Sequence, residues 1–103
     1  TLKVNGSLSV TGNISQNASS VQNITDHGQT ILVNSGIIVV YGSAGYTGLN
    51  IENGAQDGQM VTIINNNDNN LVLSNTASGN ITLYGYAAKI MIWYSNNWYQ
   101  VLS

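Results

Sequence analysis

The sequence predicts an all-β fold class, and three features of it do so. Apolar residues recur at every second position, as in Ile81 and Leu83 or Ile90, Ile92 and Tyr94, which is the period of a strand with one buried face. β-branched and aromatic residues fill these runs, while Gly, Asn, Asp and Ser interrupt them at short intervals, so each run is short and ends in turn chemistry. No stretch carries the 3.6-residue period of a helical face.

Taken in order, the runs place strands near 30–33, 36–41, 47–52, 59–64, 70–74, 80–84, 88–94 and 97–102. The run Asn65-Asn66-Asn67-Asp68-Asn69-Asn70 separates two apolar runs and reads as a hairpin loop, because Asn and Asp accept left-handed backbone angles and cap their own turns. Ser95 to Asn97 reads as a second hairpin by the same chemistry. A chain of 103 residues has room for one modest core, and the expected head is a small antiparallel β-sandwich spanning 26–103.

Two runs do not fit a soluble monomer. In 36–42 and 88–94 both faces of the strand are apolar, whereas a sheet with one wet face alternates. Since no helix is available to cover the second face, another copy of the chain is the expected cover. Ahead of the head, 1–25 is expected to form a separate shaft or neck. It reads LKVNGS, LSVTGN, ISQNAS, a six-residue repeat too short to bury its own apolar face. Three parallel copies wound on one axis would supply the contacts, with Leu2, Val4, Leu8, Val10 and Ile14 inward and Gly6 and Gly12 at the turns.

Charge narrows the partners. Lys3 and Lys89 are the only cations, and Asp26, Glu52, Asp57 and Asp68 the only anions, so runs of phosphates find no match and neither nucleic acid nor an anionic membrane is an expected partner. Sixteen Asn, eleven Ser and eight Thr provide an uncharged hydrogen-bonding surface instead. There is no cysteine, hence no disulfide or thiolate metal site. No apolar run reaches the ~18 residues of a membrane span, and TLKVNG lacks the basic start and apolar stretch of a signal peptide. Opening on Thr1, the chain is expected to be a piece of a longer protein.

The hexapeptide repeat in LKVNGSLSVTGNIS resembles the shaft or neck repeats of trimeric phage tail fibres and of fibre-like bacterial surface adhesins. DGQMVTIIN followed by NITLYGYAAKIMIWYSNNWYQVL is similar to the β-structured head modules at the tips of such fibres. The resemblance covers 2–14 and about 57–102. It implies a parallel, intertwined homotrimer at the virion tail fibre or bacterial cell surface, extracellular, whose tip attaches to a host receptor, commonly a cell-surface glycan.

No catalytic residues, metal ligands or cofactor are expected. His27 stands alone in an Asp-His-Gly turn, where a turn role is the default, although a threefold axis could gather three copies. Glu52 and Asp57 are the one carboxylate pair close in sequence, and glycoside cleavage needs such a pair; the Gly and Asn between them read as a plain loop. Sugar recognition instead suits residues with a flat apolar face and a polar edge, and amides that donate and accept at once. The candidate ligand-binding residues are therefore Trp98, Tyr86, Tyr46, Asn66, Asn67 and Asn69, with Trp93 assigned to the core or a subunit interface. The competing reading is a structural trimerisation or capping module with no ligand of its own.

Overall fold

The computed structural model describes residues 3–101; Leu2 of the first repeat and the expected end of the last strand at 102 lie outside them. The described residues form nine strands and no helix: β1 (Gln22–Ile24), β2 (Thr30–Ile31), β3 (Ile37–Gly42), β4 (Asn50–Ile51), β5 (Met60–Asn65), β6 (Leu71–Thr76), β7 (Gly79–Leu83), β8 (Ala88–Tyr94) and β9 (Asn97–Gln100). Eight of them overlap the expected strands. β1 was not expected, because QNI is too short and too polar to show a period.

The pairing differs from the antiparallel arrangement that the sequence suggested. β1 lies parallel on β3 and β3 parallel on β5. β2 lies parallel on β4, and Leu49, just before β4, bridges in parallel to Leu73 of β6. The chain thus passes alternately through two walls, so that β1, β3 and β5 stack in one and β2, β4 and β6 in the other. This is a short β-solenoid, each turn of which buries its inner face on the next. Antiparallel ladders hold the C-terminal part, where β8 pairs with β5, β9 with β8 and β7 with β6. β9 also meets β6 in parallel at Trp98 and Thr76. The first wall therefore curls round through β8 and β9 to reach the second.

One core fills the space between the walls. Ile24, Ile38, Val40 and Ile63 enter from one side, Ile31, Leu49, Ile51, Leu71 and Leu73 from the other, and all are essentially inaccessible to solvent. Trp93 and Trp98 meet edge to face, with ring centroids 5.1 Å apart, which suits the quadrupoles of the two rings. The Trp98 Nε1–H donates to the Glu52 carbonyl at 3.0 Å. Trp93 packs on the backbone of Gly54, where a Cβ would come within 2.2 Å of the indole. No larger residue fits there.

The run 65–70 is not a hairpin, since β5 and β6 on either side of it do not pair with each other. It is a corner between the walls, and the strand alternation continues straight through it: Asn65 and Asn67 are buried and Asn69 half-buried, while Asn66, Asp68 and Asn70 are exposed. Asn65 stacks in register on Val40 of the preceding turn. Its Nδ2 donates to the carbonyls of Asn69, Leu83 and Tyr84 at 2.8–3.2 Å. Asn67 and Asn69 both donate to the Gly42 carbonyl, at 2.8 and 2.9 Å. At a corner the backbone ladder breaks, and buried carbonyls left there need donors; the inward amides supply them.

The same device repairs a second break. Ile51 donates its N–H to Asn75 Oδ1 and accepts from Asn75 Nδ2, both at 2.8 Å, so a side-chain amide completes the ladder where β6 has a register shift. Part of the Asn content is thus internal: Asn65 and Asn67 are buried and Asn50, Asn69 and Asn75 half-buried, while the other eleven lie on the surface, the polar skin that composition suggested. Ser95 and Asn96 both have positive φ, 50° and 63°, and join Tyr94 to Asn97 as a two-residue turn. This is a primed turn, which matches strand twist, and it lies within the hairpin loop expected over Ser95 to Asn97, with Asn97 opening β9.

The compact part starts earlier than residue 26. Ala18 bridges to Ile37, Ser19 donates its N–H to the Ile37 carbonyl at 2.8 Å, and Ile24 is fully buried. From residue 3 to residue 18 every residue is exposed, including Val4, Leu8, Val10 and Ile14 at 45–70 %. Gly6 and Gly12 take positive φ, 112° and 99°, six residues apart, as the repeat requires.

Candidate binding edge

Every passage from the first wall to the second, and the return from β7 to β8, turns at the same edge of the solenoid. The corners are 25–29, 43–48, 66–70 and 84–87, and they touch in sequence. Gly28 donates to the Thr47 carbonyl, and the Thr47 N–H donates to His27 Nδ1 at 3.0 Å. Gly45 lies 3.3 Å, measured from a Cβ built on it, from the Asn70 carbonyl. Tyr86 donates its N–H to the Asn67 carbonyl at 2.9 Å, and Gly85 donates to Asn70 Oδ1 at 3.0 Å. A Cβ on Gly85 would stand 2.5 Å from the Asp68 carbonyl, so only glycine lets the last corner close on the third.

This edge carries side chains of one character. Tyr84 and Tyr86 are 59 % and 74 % exposed. Tyr86 also has φ of 57°, an uncommon angle for an aromatic residue that is held here by the bonds of its neighbours. Asn66, Asp68 and Asn70 project beside them. Tyr46 is half-buried, its hydroxyl 3.1 Å from Ser43 Oγ and its ring edge-on to His27 at 5.2 Å. His27 is thus engaged as a turn residue. Asp26 and Asp68 are the acidic groups of the edge, and among the described residues no three His, Cys, Asp or Glu side chains are grouped to hold a metal.

The six candidate residues therefore separate. Tyr86, Asn66 and Tyr46 come together on the stacked corners. Asn67 and Asn69 lie at the same corner but point inward and are consumed by the Gly42 carbonyl. Trp98 is 0 % exposed and belongs to the core: it and Tyr99 face opposite sides of β9, and the exposed one is Tyr99. Tyr84, Asp68 and Asn70 were missed, although the two-residue period that picks out Asn66 also selects Asp68 and Asn70. The carboxylates of Glu52 and Asp57 accept from the backbone N–H groups of Val33 and Ser95 at 2.9 and 3.0 Å, and so brace loops away from this edge.

A second surface is apolar. On the outer face of the first wall the registers set Met60 opposite Ile92, Thr62 opposite Ile90, and Ile92 opposite Tyr99, with Ile37 and Val39 of β3 beside Thr62 and Ile64. Met60, Ile90, Tyr94 and Tyr99 are 39–58 % exposed. Ile37, Val39, Ile90, Ile92 and Tyr94 belong to the outer faces of the two doubly apolar runs, and no part of the described chain covers this surface.

No protein-family model and no curated protein matches the chain. Among solved structures it is similar to one described as "Structure of a chaperone-substrate complex", at 15% sequence identity and a TM-score of 0.50. The similarity covers 80% of this chain and 17% of that one, so the chain spans about a sixth of that protein's length. At this identity the likeness concerns the fold alone, an all-β architecture.

Proposed function

We propose that this chain is the receptor-binding tip of a trimeric fibre or fibre-like adhesin, attaching through its stacked corners to a hydroxyl-rich ligand, a cell-surface glycan. The observation that carries this reading is the convergence of Tyr46, Tyr84, Tyr86, Asn66 and Asn70 on one edge whose charged groups are the carboxylates of Asp26 and Asp68. Tyrosine rings offer flat faces to sugar rings, and the exposed amides match hydroxyls as donors and acceptors. The hydrogen-bonded corners beneath hold these groups in place, which lowers the ordering cost of binding.

Assembly follows from the two apolar surfaces. The outer face of the first wall and the exposed stripe Val4, Leu8, Val10 and Ile14 are the surfaces by which three parallel copies associate, the head packing laterally and the N-terminal segment winding as a shaft. Neither surface carries a charge that would oppose this.

A glycan array probed with the intact protein tests the reading, followed by Tyr86→Ala and Asn66→Ala on any hit. The expected result is a loss of binding of about tenfold or more in each variant, as one good contact provides, with an unchanged melting temperature. Unchanged binding in both variants overturns the stacked-corner site. A second reading, a structural cap with no ligand, is favoured by the internal use of Asn65, Asn67 and Asn69, and an array with no hit at all supports it.

A further inference from the structure

The first turn of the solenoid should present two free strand edges, and side chains occupy both. In β1, Ile24 directs its carbonyl towards β3, where the Ser43 N–H donates to it. The Asn23 carbonyl and the Thr25 N–H alternate to the opposite side, where an added strand would pair. The Gln29 amide sits there instead: Thr25 donates its N–H to Gln29 Oε1 at 2.9 Å, and Gln29 Nε2 donates to the Asn23 carbonyl at 2.8 Å. A carbonyl and an N–H that flank one residue are the two groups that a parallel strand would engage.

Just beyond β2 a second amide engages both backbone groups of one residue, the pair that an antiparallel strand would take. The carbonyls of Gln29 and Ile31 accept from Asn50 and Glu52, towards β4. Leu32 then faces the free side, where its N–H donates to Gln22 Oε1 at 2.9 Å and its carbonyl accepts from Gln22 Nε2 at 2.8 Å. Gln22 stands in β1 and reaches the β2 side, whereas Gln29 precedes β2 and reaches the β1 side. Below the crossing pair Ile24 and Ile31 are both 0 % exposed, although no further turn of the solenoid lies over them among the described residues.

We infer that Gln22 and Gln29 form a reciprocal amide lid that ends the solenoid and blocks strand addition at its first turn, by the upstream chain or by another copy. Unpaired edges template the addition of strands, and here the Asn23 carbonyl, the Thr25 N–H and both backbone groups of Leu32 are already engaged. The upstream segment therefore leaves the head without adding a turn, and copies of the chain pack side by side rather than through this end. The inference does not depend on what the stacked corners bind.

Residue-resolved amide exchange on the full chain tests it. In the unsubstituted protein the N–H groups of Thr25 and Leu32 should be protected. Gln29→Ala should lower protection at Thr25 by about tenfold with Leu32 unchanged, and Gln22→Ala should do the reverse, as expected for loss of one hydrogen bond. The Gln22→Ala/Gln29→Ala double variant should form concentration-dependent assemblies larger than those of the parent in sedimentation velocity, with Gln56→Ala as the exposed control. Free exchange at Thr25 and Leu32 in the parent overturns the lid, and so does a double variant that keeps the parent's assembly state.

Discussion

Residues 3–18 and β3–β5 carry the same two-residue pattern and meet opposite fates. Val4, Leu8, Val10 and Ile14 are 45–70 % exposed, whereas Ile38, Val40 and Ile63 are 0 % exposed. The apolar residues are of one kind in both regions. What differs is the return path: the chain after β3 travels through a second wall and comes back as β5, so each inward side chain finds a partner one turn away, while no part of the described chain returns to bury Val4, Leu8, Val10 or Ile14. Periodicity makes a face, and burial needs a second surface. Among the described residues, Val4, Leu8, Val10 and Ile14 find no such surface, whereas Ile38, Val40 and Ile63 find it in the second wall.

The comparison can be broken most severely at the core. Trp98→Ala should cost about 3–5 kcal/mol, as large aromatic truncations in cores do, read as a lower midpoint in denaturant; a cost under about 1 kcal/mol would mean that the β8–β9 hairpin is not integral to the head. Asn65→Ala leaves three carbonyls without their donor and should cost about 1–3 kcal/mol. Asn66→Ala, one position along and facing outward, should cost under about 0.5 kcal/mol. If these two variants were equally destabilised, the alternation through the corner would be wrong.

The shaft side of the comparison predicts a change of mass rather than of fold. Removing residues 1–17 should shift light-scattering mass at low micromolar concentration from about three times the 11.0 kDa chain towards one, with the β-sheet circular dichroism retained, because head stability is internal while association is concentration-dependent. A truncated protein that keeps the parent's mass would show that the repeat does not hold the copies together. The smallest effect belongs to trypsin, which has two sites. Lys3 is exposed and should be cut freely, whereas Lys89 is half-buried in β8 opposite Ile63 and should be cut only through local opening. Rapid native cleavage there would mean that the β8–β9 hairpin is not packed into the head.

The sequence by itself determined the strand class, the positions of eight strands and the turn at Ser95–Asn96, because these depend on residues within a few positions of one another. It also determined that two strands would be apolar on both faces; of the candidate ligand-binding residues, Tyr86 and Asn66 are exposed in the structure and Tyr46 is half-buried. Only the tertiary structure decided which strand lies beside which. The run 65–70 has the composition of a hairpin loop, but whether the strands flanking it pair depends on β3 and β8, which take both edges of β5 and lie far off in sequence. Parallel stacking on β3 turned that run into a corner, drew Asn65 and Asn67 inward and left Asn66 outside. Trp98 and Tyr99 make the same point, since alternation sends them to opposite faces and cannot say which face is the interior. That choice was made by Glu52 and Gly54, whose backbone receives the two tryptophans, and contacts across some 40 residues of chain leave no local period to read.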